Sequence, residues 1–175
     1  MTLPAISSLV AMLFALLQTP ESGKAVFHLK VTNAHGYFRD LTLGVHAEAT
    51  YEFDASLGEF AIPPFLPTEI FDARFIDLPG RPRDSRTGSE SDIRKMMSTS
   101  QVDTFLIRFQ PGNGGSPVTL VRTETNDASC DSMILSYSIN AVSYNLDLNS
   151  TPTVSIPETD VGVLRLVVFG PHSTR

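Results

Sequence analysis

The chain has 175 residues, with 13 Lys and Arg against 19 Asp and Glu and a formal net charge of −6. That length suits one domain, or one domain with a processed segment. A charged fraction of 18% beside an apolar fraction of 42% excludes disorder over the whole chain. The acidic balance and the lack of a basic stripe speak against nucleic acid as a partner, and a single cysteine excludes an internal disulfide and a cysteine-cluster zinc site.

Residues 5–17 form an uncharged, largely apolar run of 13 residues. It is too short to span about 30 Å of hydrocarbon as a helix. It fits the apolar region of a secretory signal peptide, the alternative being a buried N-terminal helix. The expectation is therefore a signal segment over 1–25 and one domain over 26–175, secreted, at the cell surface or in the periplasm. No other run is long enough to cross a membrane.

Residues 25–33 alternate, with Phe27, Leu29 and Val31 on one face and His28 and Lys30 on the other. This is the period of a half-buried strand. Asn33-Ala34-His35-Gly36 is a turn signal, and residues 39–45 alternate again through Leu41, Leu43 and Val45, which predicts a hairpin. Further strands are expected around Phe71–Ala73–Phe75 and over 102–110, 118–122, 133–139, 142–148 and 163–169. Residues 78–100 read as a long polar loop with a short helix at 91–97. Gly112-Asn113-Gly114-Gly115 lacks the Lys-Ser/Thr pair of a phosphate loop and reads as a hairpin turn. About eight strands with frequent Gly and Pro punctuation predict an all-β antiparallel β-sandwich, immunoglobulin-like or jelly-roll-like. A closed barrel has the same periodicity.

Leu41-Thr42-Leu43-Gly44-Val45, Ala49-Thr50, Phe53-Asp54, Leu57-Gly58-Glu59, Pro63-Pro64, Pro67 and Phe71-Asp72-Ala73-Arg74-Phe75 form a distinctive series. It resembles a β-sandwich module of secreted bacterial proteins that often carry a type IX secretion sorting domain. The resemblance is densest at 41–75 and implies an exported sandwich domain. His46-Ala47 stands where that pattern tends to have Asp-Pro. The residues also have readings of their own. Gly44 inside an apolar strand suggests a bulge or a close backbone approach. Pro63, Pro64 and Pro67 favour an extended path between sheets. Asp72 and Arg74 share the face opposite Phe71, Ala73 and Phe75, placed to form an ion pair or to meet a neighbouring strand.

Glu48, Glu52, Asp54 and Glu59 lie close together near His46. Such oxygen-rich loops can hold calcium, but the spacing is not that of an EF-hand, and a solvated loop with turns capped by Thr50 and Asp54 is the simpler reading. No cofactor is otherwise indicated. A hydrolase of extracellular polymers would need two facing carboxyls, Glu59 and Asp72 for example, yet nothing in the sequence selects a pair. There is no G-x-S-x-G elbow, and Cys130 sits among acidic residues that would raise its pKa. Tyr37, Phe38, Tyr51, Phe53, Phe60 and Phe65 cluster along the chain. Core packing accounts for most of the phenylalanines, whereas Tyr37 and Tyr51 lie by turns. The residues therefore point to a non-catalytic module with a structural or binding role, its surface formed by Tyr37, Tyr51, Asp54 and Glu59. Its partner would be an extracellular polysaccharide or another surface protein. An adhesion or assembly subunit pairing through an edge strand is a further alternative.

Overall fold

The computed structural model describes residues 24–64, 66–76, 88–98, 100–123, 130–157 and 162–170. The apolar N-terminal run, Phe65 and residues 77–87 and 99 of the polar stretch lie outside the described residues. Among the described residues the strands number ten: β1 (Lys24–Thr32), β2 (Phe38–His46), β3 (Asp72–Ile76), β4 (Ser91–Lys95), β5 (Val102–Gln110), β6 (Val118–Thr123), β7 (Ser132–Ile139), β8 (Val142–Asp147), β9 (Thr153–Ile156) and β10 (Val163–Phe169). They form two five-stranded sheets, ordered β4-β2-β1-β6-β9 and β3-β5-β10-β7-β8. All pairings are antiparallel except that of β2 with β4. The molecule is an all-β sandwich, and no helix among the described residues is long and apolar enough to cross a membrane.

The alternation read from the sequence builds the core. Phe27, Leu29 and Val31 of β1 and Leu41, Leu43 and Val45 of β2 are buried between the sheets. They join Phe105 and Ile107 of β5, Leu164 and Leu166 of β10 and Leu135 of β7 in one cluster. Burying one such side chain contributes about 1.5–3 kcal/mol, which sets the register of each strand. Gly44 marks a close approach: a Cβ there would overlap the Ala25 carbonyl oxygen on the paired strand.

Two expectations are corrected. Residues 91–97 are not a helix, because residues 91–95 form β4. Asp92 and Arg94 turn one way and Ile93 the other, the period of two of a strand, and the segment pairs in parallel with β2. The glycine-rich segment is not a hairpin turn, since β5 and β6 belong to different sheets. Residues 112–114 make a 3-10 turn that carries the chain across the sandwich. Gly112 takes φ +65°, and a Cβ at Gly114 would overlap the Asn33 side-chain amide. That buried amide donates to the Pro111 carbonyl at 2.9 Å, while its oxygen accepts from the His35 and Tyr37 amides at 3.1 and 3.0 Å. The sequence also leaves β9 unmarked, because Pro152 and Pro157 bound a strand of only four residues.

Near one edge the sheets are joined. The Phe75 amide donates to the Ser89 carbonyl at 2.8 Å and the Ser89 amide returns a bond at 3.1 Å. The same segment then enters β4 and pairs with β2 of the other sheet. The sandwich is therefore laced together along β3 and β4, and its opposite side ends in β8 and β9.

Candidate functional site

The laced edge carries the long connection between β2 and β3, residues 47–71. Connections of this length are commonly functional. Its backbone is tied down by side chains at several points. Asp54 accepts from the Thr50 amide at 2.6 Å and from the Thr50 hydroxyl at 3.0 Å. The expected turn capping by Thr50 and Asp54 is thus present. Glu59, 1% exposed, accepts from the Asp54 amide at 3.1 Å and from the Ile93 amide at 2.8 Å. The Gln110 side chain donates to the carbonyls of Pro67 at 2.6 Å and Ile70 at 2.7 Å. The Arg74 guanidinium donates to the Pro63 carbonyl.

Two Asp-x-Arg pairs support this edge from beneath. On β3, Arg74 pairs with Asp72, and Arg39 of β2 approaches the same carboxylate at 3.7 Å. This is the ion pair that their shared strand face suggested. On β4, Arg94 chelates Asp92 through Nε at 3.2 Å and a terminal nitrogen at 2.8 Å. Its guanidinium lies 3.9 Å from the centre of the Phe105 ring and 3.7 Å from Asp103. All four residues are buried. Charges at such depth persist only when paired and hydrogen-bonded. A planar guanidinium meets both needs, since it can hold a carboxylate while stacking on an aromatic face.

The edge of β4 is closed by the loop rather than by a strand. Thr42 donates to the Glu90 carbonyl at 2.8 Å and Met96 to the His46 carbonyl at 3.1 Å. Alternate amides of β4 therefore turn toward β2, and that of Ile93 turns outward. Glu59 takes it. A carboxylate on an outward amide removes a donor that would otherwise invite another strand.

On this braced loop several apolar side chains face solvent. Tyr51 is 57% exposed and Phe60 60% exposed, with Leu66 and Ile70 also exposed. Phe60 is thus not a core residue, nor is Phe38 at the first hairpin, whose ring Lys30 covers at 4.1 Å. The structure brings Tyr51, Asp54 and Glu59 into one loop and gives Glu59 and Asp54 bonding roles within it. Tyr37 is exposed as expected but precedes β2, while Tyr51 follows it. The strand between them is nine residues and roughly 27 Å long. Tyr37 thus stands at the other end of β2 from the start of the loop that holds Tyr51, Asp54 and Glu59. Core packing is expected for most of the phenylalanines; Phe38 and, on the braced loop, Phe60 stand outside it. For Phe60, its neighbours Pro63 and Pro64 are the available signal, because a proline-rich path runs along the outside of a sheet.

Other chemistry can be placed as well. Glu59 and Asp72 do not face each other across a cleft; both are buried and bonded to the groups named above. Among the described residues, no group of three or more His, Cys, Asp or Glu side chains is placed to hold a metal ion. A crevice lined by Ala25, Gly44, Asp103 and Phe105 has a volume of about 10 Å³, room for roughly one water. Burial, chiefly, pushes the Cys130 thiol above its ordinary pKa, with Asp147 and Asp131 adding to the rise and Arg122 and Asn149 opposing it. No protein-family model, no curated protein and no solved structure matches this chain.

Proposed function

We propose that this chain is an exported, non-catalytic β-sandwich module that recognises its ligand through the β2–β3 loop. One observation carries the reading. Tyr51 and Phe60 are held in solvent on a loop whose backbone is tied by the buried Glu59 and Arg74 and by the half-buried Gln110. Exposing a large apolar side chain costs free energy, and bracing the loop beneath it reduces the entropy lost on binding. Aromatic side chains on a fixed loop suit the apolar faces of an extracellular polysaccharide or the surface of another protein. The apolar run at 5–17 and the resemblance at 41–75 support the exported location.

The test is thermal melting of the full chain against a panel of polysaccharides, each with calcium or with chelator. A ligand present at a hundredfold excess over its Kd stabilises by about 2.7 kcal/mol and raises the midpoint. Tyr51→Ala and Phe60→Ala are each expected to weaken binding about tenfold while leaving the unliganded midpoint in place. Full affinity in both variants would remove the loop from the reading. A shift with calcium alone would assign a metal site in its stead.

A further inference from the structure

The four sheet edges are finished in different ways. β3 is bridged by Ser89, and β4 is covered by Glu59. β9 has four residues, set between Pro152 and Pro157. β8 has six residues, without Pro, Lys or Arg. Its ladder to β7 continues in the bond from the Leu148 amide to the Met133 carbonyl at 2.8 Å. The antiparallel alternation then turns the backbone groups of Val142, Tyr144 and Leu146 toward β7 and those of Ser143, Asn145 and Asp147 outward. Among the described residues, none pairs with the outward amides and carbonyls of Ser143 and Asn145. Asp147 differs, since its carbonyl accepts from the Ser150 and Thr151 amides at 3.1 and 2.8 Å. The apolar side of the strand is also bare at this end. Val142 is 54% and Tyr144 39% exposed, with Tyr144 stacked on Tyr137 at 5.1 Å.

We propose that a second copy of this chain adds to β8, antiparallel, about a two-fold axis through Tyr144. The choice of occupant follows from the register. With the axis at Tyr144, Ser143 pairs with the partner's Asn145, and every outward amide and carbonyl of these two residues is satisfied. Tyr144 lies against the partner's Tyr144 in a close, non-hydrogen-bonded position, and Val142 lies against the partner's Leu146. Apolar side chains thus meet apolar side chains, and Asp147 opposes no charge. An axis at Asn145 would direct the partner's amide at the Asp147 carbonyl, which is already engaged. An axis at Asp147 would set two carboxylates face to face. An axis at Ser143 would set Asn145 against the partner's Ala141, which turns at φ +64° and cannot extend the ladder. The strand is therefore complementary to itself about Tyr144, as a two-fold interface requires. The β3-β5-β10-β7-β8 sheets of the two copies then become one continuous sheet of ten strands. This surface lies at the edge opposite the β2–β3 loop, so its fate is independent of the function proposed above.

Sedimentation of the full chain over a range of concentrations tests the proposal. A monomer–dimer equilibrium is expected, and Asn145→Pro, which removes an outward amide that the monomer does not use, should weaken it at least tenfold. Asn145→Lys is the second variant, should proline disturb β8. Register is read by cross-linking in a Cys130→Ser background. Under mild oxidation Tyr144→Cys should form a disulfide dimer far faster than Ser143→Cys, because only the former meets itself across the axis. A chain that stays monomeric at all concentrations overturns the proposal. So does a dimer indifferent to both Asn145 variants, or equal cross-linking at the two positions.

Discussion

At the β3–β4 edge, a carboxylate, a glutamine and two Asp-x-Arg pairs occupy the strand and loop backbone or brace it from beneath. At the β8 edge, six residues run with open outward amides and no charged side chain before Asp147. The first edge is closed by burying charge, and the second is left to be completed. The difference shows where each edge draws its stability. A buried ion pair adds little over an apolar pair of the same shape, yet losing one member leaves an uncompensated charge. The laced edge should therefore be sensitive to single substitutions, whereas the open edge should be tolerant of them in the monomer.

The largest effect is expected from Arg94→Ala. It leaves Asp92 buried without its chelating guanidinium and removes the cover from Phe105. Denaturant unfolding should show a loss of about 3–5 kcal/mol. A loss near zero would mean that the Asp92 carboxylate reaches water, and the contrast between the edges would fall. Glu59→Ala should cost less, on the order of 2 kcal/mol, because it orphans the Ile93 and Asp54 amides without stranding a charge. This variant also reopens the outward side of β4. Self-association acquired at that edge would sharpen the comparison by turning a closed edge into an open one.

The smallest effect belongs to the open side. Burial first, and the neighbouring Tyr144 second, push the Tyr137 phenol above its ordinary pKa. The folded state thus favours the neutral phenol. Its contribution to stability is fully present below the ordinary tyrosine pKa and is lost as pH rises through the raised folded value. Alkaline absorbance titration should show Tyr137 ionising above the ordinary tyrosine range, with its contribution to stability lost over the same alkaline range. Ionisation of Tyr137 within the ordinary tyrosine range would show that the stack admits water.

Much of the fold is legible along the chain, and particular residues show why. Phe27, Leu29 and Val31 against His28 and Lys30 reveal β1 because burial on one face and solvent on the other imprint a period of two. Asp72 and Arg74 could be placed on one face of β3 for the same reason. β4 escapes that logic because Asp92 and Arg94 turn inward and Ile93 is covered by the loop, so polarity does not report burial there. The available clue is that Asp92-Ile93-Arg94 repeats the alternation of Asp72-Ala73-Arg74.

The sequence by itself determined the all-β class, the positions of eight strands, the exposure of Tyr37 and Tyr51 and the shared strand face of Asp72 and Arg74. These properties are local, set by side-chain alternation and by turn chemistry over a few residues. Only the tertiary structure decided that residues 112–114 cross between sheets, that Glu59 closes β4, that Phe60 stands in solvent and that β8 is the bare edge. Each of these depends on which distant strand lies alongside. Strand order is a non-local outcome of sheet packing, and the spacing of residues along the chain does not encode it.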